Sequence, residues 1–237
     1  MIRSIATVPQ PPLLVPELVG TAVAEVDDLR AACQQAVRRL GAGSWHAIGV
    51  DGSGPTVLPS GARGSFRGYG VDVPVSLGAS LDGGGTGELP LPLLVAGWLR
   101  GQAGADAVVG ELIHPSTSPE DGFARGRALA RELCDRDWAL LVLADGARTH
   151  PAPGAGRVDE RAAGFDAVVA AALAAADADA LAGLDAELAA DLGAHGRAAW
   201  QVLAGAATGS GPGWRAELLY SAAPYGVGYH VALWEPR

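Results

Sequence analysis

The chain contains no lysine; all seventeen of its basic residues are arginine. That absence removes a P-loop lysine, a Schiff-base lysine and a Ser–Lys dyad from the chemistry open to it. Cysteine is nearly as scarce, with Cys33 and Cys134 the only two. Both fall in helical patterns, so the expectation is two buried thiols rather than a disulfide or a redox pair. Positive charge is outweighed throughout, giving a formal net charge of −9. A nucleic-acid groove needs a basic stripe to neutralise phosphates, and an anionic membrane surface needs the same, so neither partner is expected. The apolar runs are too short or too rich in Ala and Gly to span a bilayer, and the first residues, "MIRSIATV", do not resemble a leader. The chain reads as soluble and cytoplasmic.

Several common catalytic signatures are also missing. There is no HExxH and no CxxC, and "GASLD" at residues 78–82 misses the GxSxG pattern at its last position. The glycine-rich "GARGSFRGYG" lacks dinucleotide-loop spacing and follows no clear strand; it reads as a loop that lines a pocket at most.

What the chain does have is a regular alternation of strands and helices. Apolar runs at 2–8, "HAIGV", "ADAVVGELI" and "WALLVLA" read as strands, the last as one buried on both faces. A helix is expected over about 21–40, where Val23, Val26, Leu29, Cys33, Val37 and Leu40 keep helical spacing and Gly41 marks the stop. "LPLPLLVAGWLRG" reads as a buried helix, "VDVPVSL" as a strand and "SLGASLDGGGTGE" as a flexible connection. The helix after His114 opens on Ser118 as N-cap, Pro119 at its first position and then two acids. Two or three Ala-rich helices fill about 160–207, with Asp159 and Asp177 as caps. "RAELLY" and "VGYHVALW" close the chain as strands. The expected architecture is a single three-layer α/β domain over residues 1–237, with a mainly parallel central sheet flanked by helices and antiparallel edge strands.

In such sheets ligands bind beyond the carboxyl ends of the strands. The polar residues there are Gln10, Asp51 with Ser53, His114, and then Asp145, Arg148 and His150. His150, just past a buried strand and titrating near neutrality, is the best general-base candidate, with Asp145 or Asp51 as its carboxylate. His195 sits at a break between two Ala-rich helices, either capping or pointing into a site. His46 lies at the wrong end of its strand and reads as structural or exposed. His230 reads as a sheet-face residue opposite Tyr229 and Val231.

Taken in order, "VPQPPLLVPEL", "ADGARTHPAPG", "FDAVVAAAL" with "ALAGLD", "GRAAWQVLAGAA" and "APYGVGYHVALW" resemble the class III extradiol ring-cleavage dioxygenases. The likeness is closest to a small actinobacterial branch, with Memo-like proteins more distant, and it covers most of the chain. The resemblance implies non-haem Fe(II) held by two histidines and a carboxylate, with a further histidine as acid–base catalyst. The first ligand would lie in a "HPP"-like turn, where this chain has Gln10. The second would follow the second strand, where "GVDGSGP" offers Asp51 and no histidine. The carboxylate would come from near "GAHGRAAW", where His195 and Arg197 stand. The acid–base histidine would follow "VLADG", and His150 is the nearest.

A neutral amide is a poor Fe(II) ligand, so the expectation is a degenerate iron site and no resident cofactor. The leading reading is a non-catalytic protein that binds a small aromatic ligand or a partner. "PYGVGY" and the last strand then serve either a contact between copies of the chain or simply the sheet. Two alternatives stand beside it. A metalloenzyme, with Fe, Zn or Mn, requires Asp51, His114, His150 and His195 to converge. A metal-free hydrolase or isomerase requires a His–carboxylate hydrogen bond beside a pocket.

Overall fold

The computed structural model describes residues 1–19, 24–79, 88–135, 137–153, 156–211 and 213–237. The calls at 21–23 and most of the "SLGASLDGGGTGE" connection lie outside them. At the centre stand four parallel strands, β1 (Ile2–Val8), β2 (Trp45–Val50), β6 (Val108–Ile113) and β7 (Trp138–Leu143). Antiparallel strands extend both edges: β3 (Thr56–Leu58) beyond β6, and β9 (Tyr229–Pro236) then β8 (Trp214–Ala222) beyond β1. The seven-stranded order is β3-β6-β2-β7-β1-β9-β8. A separate two-stranded antiparallel sheet joins β4 (Arg63–Ser65) to β5 (Pro74–Ser76). The expected strand over "VDVPVSL" is thus confined to three residues, because Pro74 starts it and its only ladder partner is a three-residue strand.

The sheet is apolar on both faces, and alternation along β7 shows why. Leu140 and Val142 enter one core, while Ala139, Leu141 and Leu143 enter the other. The second core is closed by α1 (Ala24–Leu40) and α2 (Leu91–Ala103), through Leu29, Val37, Leu93 and Leu94. The first is closed by α3 (Pro119–Glu132), α4 (Arg161–Ala175), α5 (Ala178–Ala182), α6 (Ala186–Asp191) and α7 (Arg197–Gly209). Three layers result, as the pattern predicts. No described helix is long and apolar enough to cross a membrane.

Local signals account for most boundaries. Ser118 accepts the Asp121 N–H at 3.1 Å and starts α3, and Asp177 accepts the Ala180 N–H at 2.9 Å to start α5. The Ala-rich region holds four helices rather than two or three, because Asp185 caps a further one through the Glu187 and Leu188 N–H groups. Asp159 lies one residue outside the N-cap position of α4, which is Glu160, although its carboxylate still accepts the Arg161 N–H. Cys33 is buried on α1, but Cys134 is exposed beyond the end of α3, where the helical face no longer points inward.

Glycine sets the tightest helix contact. A Cβ on Gly126 would stand 2.0 Å from the Val202 carbonyl oxygen, and one on Gly205 would stand 2.0 Å from that of Phe123. α3 and α7 therefore touch backbone to backbone. That contact holds α7, and the turn that precedes it, close to the sheet.

Candidate functional site

The carboxyl ends of β1 and β7 lie side by side, since the two strands pair in parallel with Val8 opposite Leu143. Beyond β1 the chain runs through Pro9 and Gln10 into a 3-10 turn at Pro12–Leu14. The rings of Pro11 and Pro12 fix φ there and disfavour helical backbone at Gln10, and the Gln10 amide lies outside the sheet ladder. It donates to Asp145 Oδ1 at 2.9 Å. The Ala144 amide in turn donates to the Val8 carbonyl at 2.9 Å, so the two strand ends are fastened together.

Between them and the turn that leads into α7 lies a cavity of about 290 Å³. Its apolar wall comes from Pro11, Pro12, Val50, Leu91, Leu143 and Val227. Its polar side chains are Gln10, Asp145, Arg148, His195 and Tyr229. These groups do not satisfy one another. The Gln10 side-chain oxygen is buried without a hydrogen-bond partner among the described residues. The Arg148 guanidinium, exposed at the mouth, makes no hydrogen bond or ion pair among the described residues, and its stem lies along Gly193.

Burial pushes the Asp145 carboxyl up to about 6, against the opposing pull of the Gln10 N–H, Arg148 and His230. Burial also lowers the pKa of His195, helped by the positive charges of Arg148 and Arg197. The Tyr229 phenol is raised, first by burial and then by Asp145. The cavity thus holds a carboxyl group that keeps its proton up to about pH 6, an imidazole biased to the neutral form and a guanidinium in no ion pair among the described residues.

His150 takes no part in this cavity, which corrects its expected pairing with Asp145. The loop after β7 turns its side chains two ways. Asp145 and Arg148 face the cavity, whereas His150 Nε2 lies 2.6 Å from Asp166 Oδ2 on α4. The same carboxylate accepts the Ala147 N–H at 3.1 Å and stands 3.4 Å from His230 Nε2. Gly146 and Gly228 leave room for it: a Cβ on either would stand 2.4 Å or 1.8 Å from an Asp166 oxygen. The Asp166 carboxyl is held below the usual carboxylate range, since contacts with His230, His150 and the Ala147 amide outweigh the burial that would raise it. A His–carboxylate pair does exist, but it fastens loop, helix and β9 together and does not line the cavity.

The other expected site residues are dispersed. Asp51 and Ser53 form a local turn, with Asp51 Oδ1 accepting the Ser53 N–H at 2.9 Å and its hydroxyl at 2.6 Å. They border a separate, wider cleft beside Arg63, Arg67 and Arg100. "GARGSFRGYG", expected to be loop alone, supplies β4 and a 3-10 turn to that cleft. His114 Nδ1 lies 2.6 Å from the Ser116 hydroxyl and lines neither space. His46 is buried, with Nε2 2.9 Å from Glu111.

Among the described residues no three His, Cys, Asp or Glu side chains come together to hold a metal ion. The set Asp51, His114, His150 and His195 therefore does not assemble. The residues present do not fit an Fe(II) centre of two histidines and a carboxylate, the group implied by the resemblance.

Three contributors escape sequence reading. Tyr229 looks like one more apolar strand position. Asp166 sits in "FDAVVAAAL", where a lone acid in an otherwise apolar helical run is the available signal. His230 lies on the sheet face opposite Tyr229 and Val231, as alternation predicts, but the carboxylate beneath it comes from a distant part of the chain.

No family model and no curated protein sequence matches the chain. Among solved structures it is similar to an uncharacterized protein of Escherichia coli K12, at 13% identity and a TM-score of 0.54, with 99% of this chain and 100% of that chain covered. At that identity the likeness extends to the fold, a layered α/β architecture.

Proposed function

We propose that the chain is a ligand-binding relative of the class III extradiol dioxygenases, with a degenerate iron site and a cavity that takes a small aromatic molecule. The observation that carries the reading is the buried, unpartnered Gln10 oxygen in the cavity at the end of β1. An unpaired buried acceptor costs about 1–3 kcal/mol, so it is best accounted for by a donor that arrives with a ligand. Flat apolar surfaces from Pro11, Pro12, Leu91 and Val227 suit an aromatic ring. Gln10 stands where the resemblance implies the first iron ligand, and an amide there favours hydrogen bonding over coordination.

A second reading, metal-free proton transfer, draws on the Asp145 carboxyl at about 6 in the same cavity as His195. In that case Asp145 exchanges a proton with a bound molecule and His195 accepts or returns it.

Ligand-observed NMR with phenol, catechol and benzyl alcohol tests the proposal. Binding is expected for at least one, weakened about tenfold by Gln10→Ala, which removes the acceptor. Binding to none of them, or an unchanged affinity in Gln10→Ala, overturns the cavity reading. Metal analysis after loading with Fe(II), Mn(II) or Zn(II) addresses the degenerate centre. Near-stoichiometric metal that is lost in His195→Ala overturns it.

A further inference from the structure

We infer that the ligand of this cavity is a small carboxylate, its anionic group seated on Arg148 and His195 and its apolar body against the Pro11–Leu91–Val227 wall. The inference rests on the proposed cavity reading and adds the charge of the ligand. Three observations carry it together.

First, Arg148 is a cavity-lining guanidinium with no hydrogen-bonding or ionic partner among the described residues, while most other arginines of the chain have one. Its backbone is fixed, since the Arg148 N–H donates to the Leu192 carbonyl at 2.9 Å, and its stem packs on Gly193. The head group is therefore held over the mouth without being used by the protein. A planar guanidinium fork matches a carboxylate with two parallel N–H donors.

Second, His195 lines the same cavity and its ring has no hydrogen-bond partner among the described residues either. The turn that carries it is pinned to the β7 loop, the Gly196 N–H donating to the Asp145 carbonyl at 3.2 Å. Its imidazole offers one N–H donor while neutral.

Third, the one acid of the cavity does not cancel Arg148. One Asp145 oxygen is engaged by the Gln10 N–H, and burial favours the protonated form of the group. Below about pH 6, where Asp145 is protonated, the cavity side chains carry the single positive charge of Arg148, which a monoanion balances. The apolar wall calls for a carboxylate on a hydrophobic body, and the Gln10 oxygen accepts a hydrogen bond from a hydroxyl or N–H elsewhere on it.

Isothermal titration at about pH 5, where Asp145 is protonated and benzoate is still an anion, with benzoate, benzamide and benzyl alcohol is the test, on the full chain and on Arg148→Gln. These probes share a ring and differ in charge. Benzoate is expected to bind about tenfold more tightly than benzamide, the usual advantage of a charge-assisted over a neutral hydrogen bond. Arg148→Gln, at an exposed position, is expected to remove that advantage and bring benzoate and benzamide within about twofold of each other. Equal binding of benzoate and benzamide, or a benzoate-to-benzamide ratio unchanged in Arg148→Gln, overturns the carboxylate inference while the ring-binding reading stands. Displacement of benzoate by an equal concentration of inorganic phosphate overturns it in favour of phosphate. Failure of all three ring probes overturns both readings.

Discussion

Replacing Asp145 by asparagine is expected to stabilise the protein at neutral pH, an unusual direction for a change at a half-buried polar residue. The carboxyl titrates at about 6 in the folded chain against 3.8 when unperturbed, with burial as the leading cause. The groups that face it are Arg148 on its own loop, the Gln10 N–H beyond β1, Tyr229 and His230 on β9, and Cys33 on α1. Their net attraction is weaker than the cost of burying the charge. Between about pH 4 and pH 6 the folded chain holds a proton that the unfolded chain has released, so stability falls as pH rises through that window. At about 1.4 kcal/mol for each tenfold change in proton affinity, the full cost above pH 6 is about 3 kcal/mol. The side chain still meets the cavity, so about 1–3 kcal/mol is the expected range. Asparagine keeps the acceptor for the Gln10 N–H and carries no charge. Urea unfolding of both proteins from pH 4 to pH 8 should show no difference at pH 4 and a gap that opens by pH 7. A gap that is absent, reversed or independent of pH refutes the argument.

Two further changes are expected to act in the opposite direction. Asp166→Ala leaves the Ala147 N–H without its acceptor and His150 and His230 without their carboxylate; urea unfolding should show a loss of about 3–5 kcal/mol, as for a broken buried pair. Gly126→Ala forces a methyl group against the Val202 carbonyl, and thermal unfolding should report a destabilisation of about 1–3 kcal/mol from overpacking.

Much of the frame is legible in the sequence because it depends on local pattern. The apolar runs of β1, β2, β6 and β7 end where Gln10, Asp51, His114 and Asp145 begin, or within a residue or two of them. Ser118 and Asp177 declare their helices through cap chemistry that needs no tertiary information. The three-residue strands β3 and β4 are invisible for the converse reason, since so few residues carry no periodicity. Site membership follows a different rule. Every strand end supplies a polar residue, but the parallel neighbours β1 and β7, with the turn before α7 folded over them, enclose the cavity. β2 contributes Val50 to it, while Asp51 and Ser53 turn to the wider cleft and His114 bonds to its own loop. Asp166 pairs with His150 across sixteen residues and with His230 on the other side of the chain's last turn, a meeting that no single stretch encodes.

The loop after β7 shows how a fold can hold an unfavourable carboxyl group in place. Four backbone bonds fix it: Gly146 N–H to Gly228, Gly228 N–H to Ala147, Arg148 N–H to Leu192 and His150 N–H to Gly226. Asp166 adds an ionic anchor from beneath. A loop tied this closely holds the Asp145 carboxyl at the cavity wall, so the cost of partly burying that charge persists in the folded state. The two carboxylates therefore do opposite work within a few residues of chain: Asp166 is paired and stabilises the loop, whereas Asp145 is under-compensated and opposes folding at neutral pH. A connection between β7 and α4 needs the first carboxylate but not the second. Its place beside a guanidinium and an amide oxygen that have no partner among the described residues is what a binding site built for a ligand would require, and the opposite signs expected for Asp145→Asn and Asp166→Ala separate the site from its support.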